Sequence, residues 1–414
     1  MKAKISYFLF LILLYVFMFN PPLALVVGSL NLSYVLIVFS LFYVLLHRNR
    51  LNLYLKPFKT EICLFVIVVV FSALRSGIEK DYMYIVRHVL PFLYIVAVIP
   101  CTIMLAKKVG IHSETQFIRS IFIVSAVASC ITILCVLFPG LDEFVRNRLI
   151  QYDEDSYLFG NIRRGFGIAS GLTSYYGYIL GVIVGICPLY MKGNKWFASF
   201  IPLIILSILV NARTGVLIAL WGVSVFFFTN SKQSVLPIFA LILLLYFYLV
   251  DIMLILHFNP ETIAWIQDFI DQIMDISSGN LSEGTANTLL DSMNVWPSNA
   301  LEWLIGKGVL MYHAALVGDT RTDIGWLLQL SYGGLVYIFI LYYIFIYMAN
   351  RLVKNREKIL MWIFAGSIII INTKSKIFPT TGVFTVLMLM YFICILNKFG
   401  LWGKSTPNMI ERHK

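Results

Sequence analysis

Apolar side chains run along most of the chain in blocks of about 15 to 24 residues, and charged side chains fall in the gaps between them. Blocks at roughly 5–19, 23–46, 60–74, 89–106, 117–138, 169–191, 196–211, 214–229, 235–256, 326–348, 358–372 and 377–397 predict membrane-spanning helices. In lipid the backbone must satisfy its own hydrogen bonds, so an apolar run of this length reads as a helix. The pattern therefore predicts an all-α polytopic membrane protein of about twelve spans, in a single membrane domain over residues 1–414. The first block, MKAKISYFLFLILLYVFMFN, has the charge and apolar length of a signal peptide. No small-residue cleavage site follows it and the next block starts almost at once, so it reads as the first span.

The gaps alternate in charge. With the N-terminus in the cytoplasm, about 20 of the 32 Lys and Arg residues fall on the inner side, against only Glu61, Glu114, Glu357 and Glu411 among the acids. This asymmetry predicts an even number of spans with both termini cytoplasmic. Two outer gaps are long enough to hold structure, at 139–168 and 257–325. Within the second, PETIAWIQDFIDQIMDI spaces Ile263, Ile266, Ile270, Ile273 and Met274 on one helical face and Asp268, Asp271 and Asp275 on another. That spacing predicts an amphipathic helix lying on the membrane or over a cavity.

Composition agrees. The chain is 60% hydrophobic and 13% charged, with a mean hydropathy of +0.85. A net charge of +11 would suggest nucleic acid in a soluble domain, but here it follows from the inner-side excess and implies no nucleic-acid partner. The six cysteines are scattered through apolar blocks without a CxxC pair and are expected as free thiols. No phosphate-binding glycine loop, dinucleotide fingerprint or HExxH motif is present. His257 and His313, the histidines placed on the outer side, have no ligand-spaced partner, so neither a metal nor another cofactor is expected.

One charge resists this description. Residues 196–229 form a nearly unbroken apolar run, which as one helix would be about 50 Å long against a hydrocarbon core of about 30 Å. The run must fold back, and NARTG at 211–215 is where it can turn. Arg213 then sits in a short outer turn with no acidic neighbour. It either snorkels to headgroups or binds an anion from an outward-facing cavity, and a phosphate fits its planar fork best. GNIRRGFG offers Arg163 and Arg164 between glycines, and GDTRTDIGW offers Arg321 between Asp319 and Asp323. These arginines either join an anion site or pair locally with Asp153, Glu154 and Asp155, or with their own flanking aspartates. Trp265, Trp296, Trp303, Tyr312, Trp326 and Tyr332 add aromatic faces, suited to sugars or to an interfacial belt.

Taken in order, these pieces resemble the bacterial O-antigen polymerases of the Wzy type and their relatives the O-antigen ligases. The similarity runs over about 155–345. Its landmarks are RRGFG before a span, a span pair joined by NARTG, and a long outer loop ending in LIGKGVLMYHAALVGDTRTDIGWLLQLSYGG. Within that last stretch Gly306, Gly308, Asp323 and Gly334 match the family's glycine-x-glycine, polar and glycine positions. The ligase branch carries a histidine where this chain has Asp323, which tilts the resemblance towards polymerase. Asn287 stands where relatives often carry an arginine.

The resemblance implies an inner-membrane enzyme working at the periplasmic face. It would transfer a growing glycan from undecaprenyl diphosphate to the next lipid-linked oligosaccharide unit, without a metal and alongside a chain-length regulator. Arg213, Arg164, Arg321 and Arg163 would hold the diphosphate. Asp323 would deprotonate the acceptor hydroxyl, with His313 as the second choice and an N-cap as the plain alternative for Asp323. A ligase and a lipid-linked oligosaccharide flippase are the rival functions. A flippase usually shows related halves and polar residues at mid-membrane, and the sequence shows neither.

Overall fold

The computed structural model describes residues 2–25, 28–79, 83–145, 167–169, 175–190, 196–212, 214–229, 296–308, 322, 324–354, 357–379 and 382–401, with isolated positions between 248 and 271. The described chain is mostly helical and carries one short hairpin. In order it forms α1 (Lys2–Phe19), β1 (Pro22–Leu25), β2 (Gly28–Asn31), α2 (Leu32–Leu46), α3 (Arg48–Leu55), α4 (Lys59–Glu79) and α5 (Met83–Leu93). A π-helical stretch at Tyr94–Val98 leads into α6 (Ile99–Lys108), followed by α7 (Glu114–Leu137), α8 (Pro139–Phe144), α9 (Tyr175–Tyr190), α10 (Trp196–Asn211) and α11 (Thr214–Thr229). The last four are α12 (Ala300–Ile305), α13 (Gly325–Lys354), α14 (Lys358–Lys374) and α15 (Val383–Lys398).

Four stretches, Arg48–Ser76, Ile85–Lys108, Glu114–Leu137 and Gly325–Lys354, are long and apolar enough to cross a membrane, and shorter apolar helices accompany them. Phe8, Val38, Phe42, Leu45, Leu74, Phe339 and Ile369 are well exposed on these helices. A surface this apolar on so many helices marks a membrane-embedded protein. Of the expected blocks, 235–256 lies mostly outside the described residues, and each of the others contains a helix.

Two boundaries differ from the sequence pattern, each for a local reason. The block expected at 23–46 begins as the hairpin, with Leu23 opposite Leu30, and becomes helical only at Leu32. Pro21 and Pro22 disfavour a helical start, and Asn31 caps α2 by accepting from Ser33 N at 3.0 Å. The last block becomes helical at Val383 rather than 377, and the described residues 375–379 and 382 before it are not helical. The turn expected at 211–215 is present. α10 ends at Asn211, α11 starts at Thr214, and Gly215 N donates to Ala212 O at 2.9 Å. In the second long loop, Ile263 and Ile266 are buried, whereas Ala264, Gln267 and Asp271 are exposed, as the amphipathic pattern requires.

The two ends of the bundle are held differently. At the end opposite the 211–214 turn, Arg351 of α13 bonds Glu61 of α4 and the Pro57 carbonyl, and Tyr391 of α15 donates to the same carboxylate. Glu61 is fully buried, and the guanidinium also lies 5.5 Å from the Phe58 ring centre. Three distant helices are thus tied through one buried ion pair. Arg351→Ala would strand the carboxylate and is expected to destabilise the protein by about 3–5 kcal/mol. Adding Glu61→Gln should recover part of that loss. Thermal unfolding of the single and double variants in detergent checks it, and an additive double variant would contradict the pairing.

Candidate functional site

Gly306, Gly308 and Gly334, spaced positions in the sequence, are one contact in space. Asn299 Oδ1 accepts from Glu302 N at 2.9 Å, and the Glu302 carboxylate accepts from Ser298 N at 2.8 Å, a reciprocal cap that starts α12. The same bonds from Ser298 hold the Glu302 carboxyl below the usual carboxylate range. The helix stops at Gly306, whose φ of 72° a side chain would strain. Beyond it, Lys307 N donates to Ser331 O at 2.6 Å and Gly308 N donates to Tyr332 O at 2.9 Å.

Those two carbonyls are available because α13 is broken at Gly334, where φ is 65° and ψ is −165°. A Cβ on Gly306 would stand 2.5 Å from the Tyr332 carbonyl, and one on Gly334 would overlap the Leu304 carbonyl. Arg75 of α4 closes the arrangement, its Nη2 donating to Gly306 O at 2.6 Å. Irregular backbone inside a membrane protein survives only where protein or water satisfies it. Here the 306–308 segment does so for the broken helix.

A second set of glycines positions the 211–214 turn. Gly177, Gly181 and Gly185 recur every fourth residue along α9 and face Ala212, Gly215 and Gly222 at backbone distance. A Cβ on Gly177 would lie 2.8 Å from that of Ala212, and one on Gly181 would overlap the Gly215 carbonyl. Without a hydrophobic drive between helices in lipid, such small-residue faces allow tight association. The start of α9 is anchored from the side as well. Tyr176 OH meets Thr132 Oγ1 at 2.8 Å and Ser207 Oγ at 3.0 Å, and a Cβ on Gly167 (φ 56°) would press on Thr132.

Basic residues gather at this same end. Lys376, in the non-helical stretch 375–379, is 7% exposed, and Arg75 is 8% exposed. His88 of α5 is fully buried, its Nε2 2.8 Å from Tyr337 OH and its ring stacked on Tyr332 at 5.4 Å. Its neighbour Arg87 acts electrostatically on Lys376. Burial, and next the charge of Arg87, push the Lys376 ammonium well below the ordinary lysine value. The start of α13 packs on this loop, since a Cβ on Gly325 would overlap the Ser375 carbonyl. From α9, Tyr175 OH donates to Lys376 O at 3.4 Å.

This has a consequence for stability. The unfolded lysine keeps its proton up to about 10.5, while the folded one releases it at lower pH. Between those values the unfolded chain binds more protons, so stability rises with pH. Relative to Lys376→Met, wild-type protein is therefore expected to gain stability as pH climbs, with the gain ending above about 10.5. Unfolding midpoints of both proteins at stepped pH check this, and a constant difference would contradict it.

All six residues expected to carry the chemistry, Arg163, Arg164, Arg213, Arg321, Asp323 and His313, lie outside the described residues. Gly167 packs against the Thr132–Tyr176 pair, Ala212 and Gly215 pack on α9, and Gly325 packs on the Lys376 loop. At the start of α13 Leu328 N donates to Ile324 O at 2.9 Å. Among the aromatics, Trp296 stacks on Trp303 at 5.6 Å and meets Trp326 at 5.1 Å, whereas Tyr332 is buried against His88. Trp265 and Tyr312 lie outside the described residues.

Sequence reasoning passed over Arg75, Arg87, His88 and Lys376. The signal was present for Lys376, since TKSKIF is a short turn holding cations without an acid, like the one that singled out Arg213. Among the described residues no three His, Cys, Asp or Glu side chains gather as a metal would need. No protein-family model matches this chain. No curated protein matches it significantly either.

Proposed function

We propose that the protein polymerises lipid-linked oligosaccharide units, moving a growing glycan from a polyprenyl diphosphate to the acceptor sugar of the next unit. In this reading it is a twelve-span inner-membrane protein with both termini cytoplasmic. The end bearing the 211–214 turn faces the periplasm. The observation that carries the reading is the gathering, at one end of an apolar bundle, of buried basic groups with the described flanks of Arg164, Arg213 and Asp323.

That arrangement suits the chemistry. The donor's leaving group is already a diphosphate, so catalysis needs positive charge aimed at it and a base for one sugar hydroxyl. Arg213, Arg164, Arg321 and Arg163 supply the first, and Asp323 the second, with His313 as its alternative. The stacked Trp296 and Trp303 offer flat apolar faces to a sugar ring. A flippase is the second reading. The break at Gly334 favours it, because transporters bind substrates at interrupted helices.

The surface glycan of a deletion strain, separated by size, distinguishes these functions. Collapse of a long ladder to single repeat units supports the polymerase. Full-length polymer stranded on its lipid carrier would indicate a ligase, and units trapped on the inner leaflet a flippase.

A further inference from the structure

We propose that Arg48, Arg50, Lys56 and Lys59, on α3 and its junction with α4, form a binding surface for an anionic phospholipid. This rests on the protein being embedded in a membrane, and it holds whichever reaction the protein carries out.

The first sixty residues contain no acid, and Glu61, the first, is buried and bonded to Arg351. The four cations therefore have no acidic neighbour to spare in sequence. They have none in space either. Among the described residues, none of the four side chains has an ion-pair or hydrogen-bond partner, and all four are exposed. Their spacing sets Arg48, Asn52, Lys56 and Lys59 along one stripe of the helix, and Leu51, Tyr54, Leu55 and Phe58 along another. The second stripe is the one that packs. Tyr54 is buried with Lys107 Nζ 5.1 Å from its ring centre, and Phe58 stacks on Phe392 at 3.7 Å.

Length puts this surface at the headgroups. Arg48–Ser76 is one helical path of 29 residues. At 1.5 Å per residue that is about 44 Å, against a hydrocarbon core of about 30 Å. A path of that length reaches the headgroups, and the four cations mark the end that does. Leu45, Leu46 and Leu53 stand among them, 70%, 66% and 49% exposed. A phospholipid offers both partners in one molecule, phosphate oxygens for the cations and acyl chains for the leucines. A soluble acidic protein would meet the charges and leave the leucines in water. A zwitterionic lipid would meet the leucines but bring its own cation to the phosphate.

The frame beneath the surface is fixed. His47 turns the chain between α2 and α3, with Nδ1 3.0 Å from Tyr43 O and its ring stacked on Tyr43 at 4.5 Å. The Pro57 carbonyl accepts from Arg351. The cations are thus presented by an ordered backbone, which lowers the ordering cost of binding.

Native mass spectrometry of the purified full-length protein in mild detergent tests this, titrating phosphatidylglycerol, phosphatidylcholine or glycerol phosphate. The wild type is expected to prefer phosphatidylglycerol to phosphatidylcholine by about a hundredfold and not to bind glycerol phosphate. Neutralising Arg48, Lys56 and Lys59 together, each to Gln, should cost about fivefold per cation and abolish the preference. Lys56→Arg with Lys59→Arg keeps the charges and should bind like wild type, which separates charge from any loss of fold. Lys4→Gln removes an exposed cation from α1 and should change nothing.

Equal binding of the two lipids by the wild type would overturn the proposal, as would a folded triple variant that keeps the preference. A loss from Lys4→Gln as large as that from Lys56→Gln would also overturn it, because charge would then act diffusely. Glycerol phosphate binding as tightly as the lipid would assign the surface to a soluble anion, and displacement of the lipid by polyglutamate would assign it to an acidic protein. Either result excludes the phospholipid.

Discussion

Arg213→Ala is expected to reduce long glycan by about a hundredfold or more while the protein reaches the membrane in normal amounts. The described residues beside Arg213, Ala212 and Gly215, are held at backbone distance from α9. That packing belongs to the glycines and alanine, so loss of the arginine side chain should leave the fold intact. What it removes, on the polymerase reading, is a guanidinium that stabilises charge on the departing diphosphate. Arg213→Lys keeps the charge and loses the planar fork, so it should restore only part of the ladder. Size-separated glycan from a deletion strain carrying each variant, with membrane levels measured alongside, decides the matter. A full ladder with Arg213→Ala would mean that the residue merely anchors a helix end at the headgroups.

Gly334→Val is expected to have the largest effect on stability. The position combines a backbone conformation that only glycine adopts comfortably with no room for a Cβ against Leu304. Strain and overpacking together should cost about 3 kcal/mol or more. The damage should also spread. If α13 straightens to relieve the clash, the Ser331 and Tyr332 carbonyls return to the helix, and Lys307 N and Gly308 N lose their acceptors. Gly306→Val attacks the same contact from the other side, so the double variant should cost less than the sum of the two. Unfolding midpoints of purified protein measure this, and an unchanged midpoint for Gly334→Val would rule out the clasp.

The helices were largely legible in the sequence because their signal is local. An apolar block between charges reads as a span, and the length of 196–229 alone forces the turn at 211–214. The hairpin before α2 was less legible because Leu23, Leu25 and Leu30 keep the block apolar whichever structure it adopts. The break in α13 is invisible locally. LLQLSYGGLVYIFIL reads as a continuous span, and only the arrival of Gly306 against Tyr332 gives the freed carbonyls their donors.

The site divides in the same way. Arg213 stood out because its turn contains no other charge. Lys376 gains its interest from burial, which depends on how α9 and α13 pack around residues 375–379. His88 lies in an apolar stretch, where a ring buried against Tyr332 and Tyr337 looks like any other core position until the helices are assembled.

The most direct test of the central claim uses purified protein in vesicles with a synthetic oligosaccharide unit on a polyprenyl diphosphate. Products are followed by mass spectrometry. A glycosyl-transfer polymerase yields a series of species growing by one whole unit, with one lipid diphosphate released per step and no added metal or nucleotide. Folded protein that leaves the unit unchanged, or only carries it across the bilayer, would contradict the account.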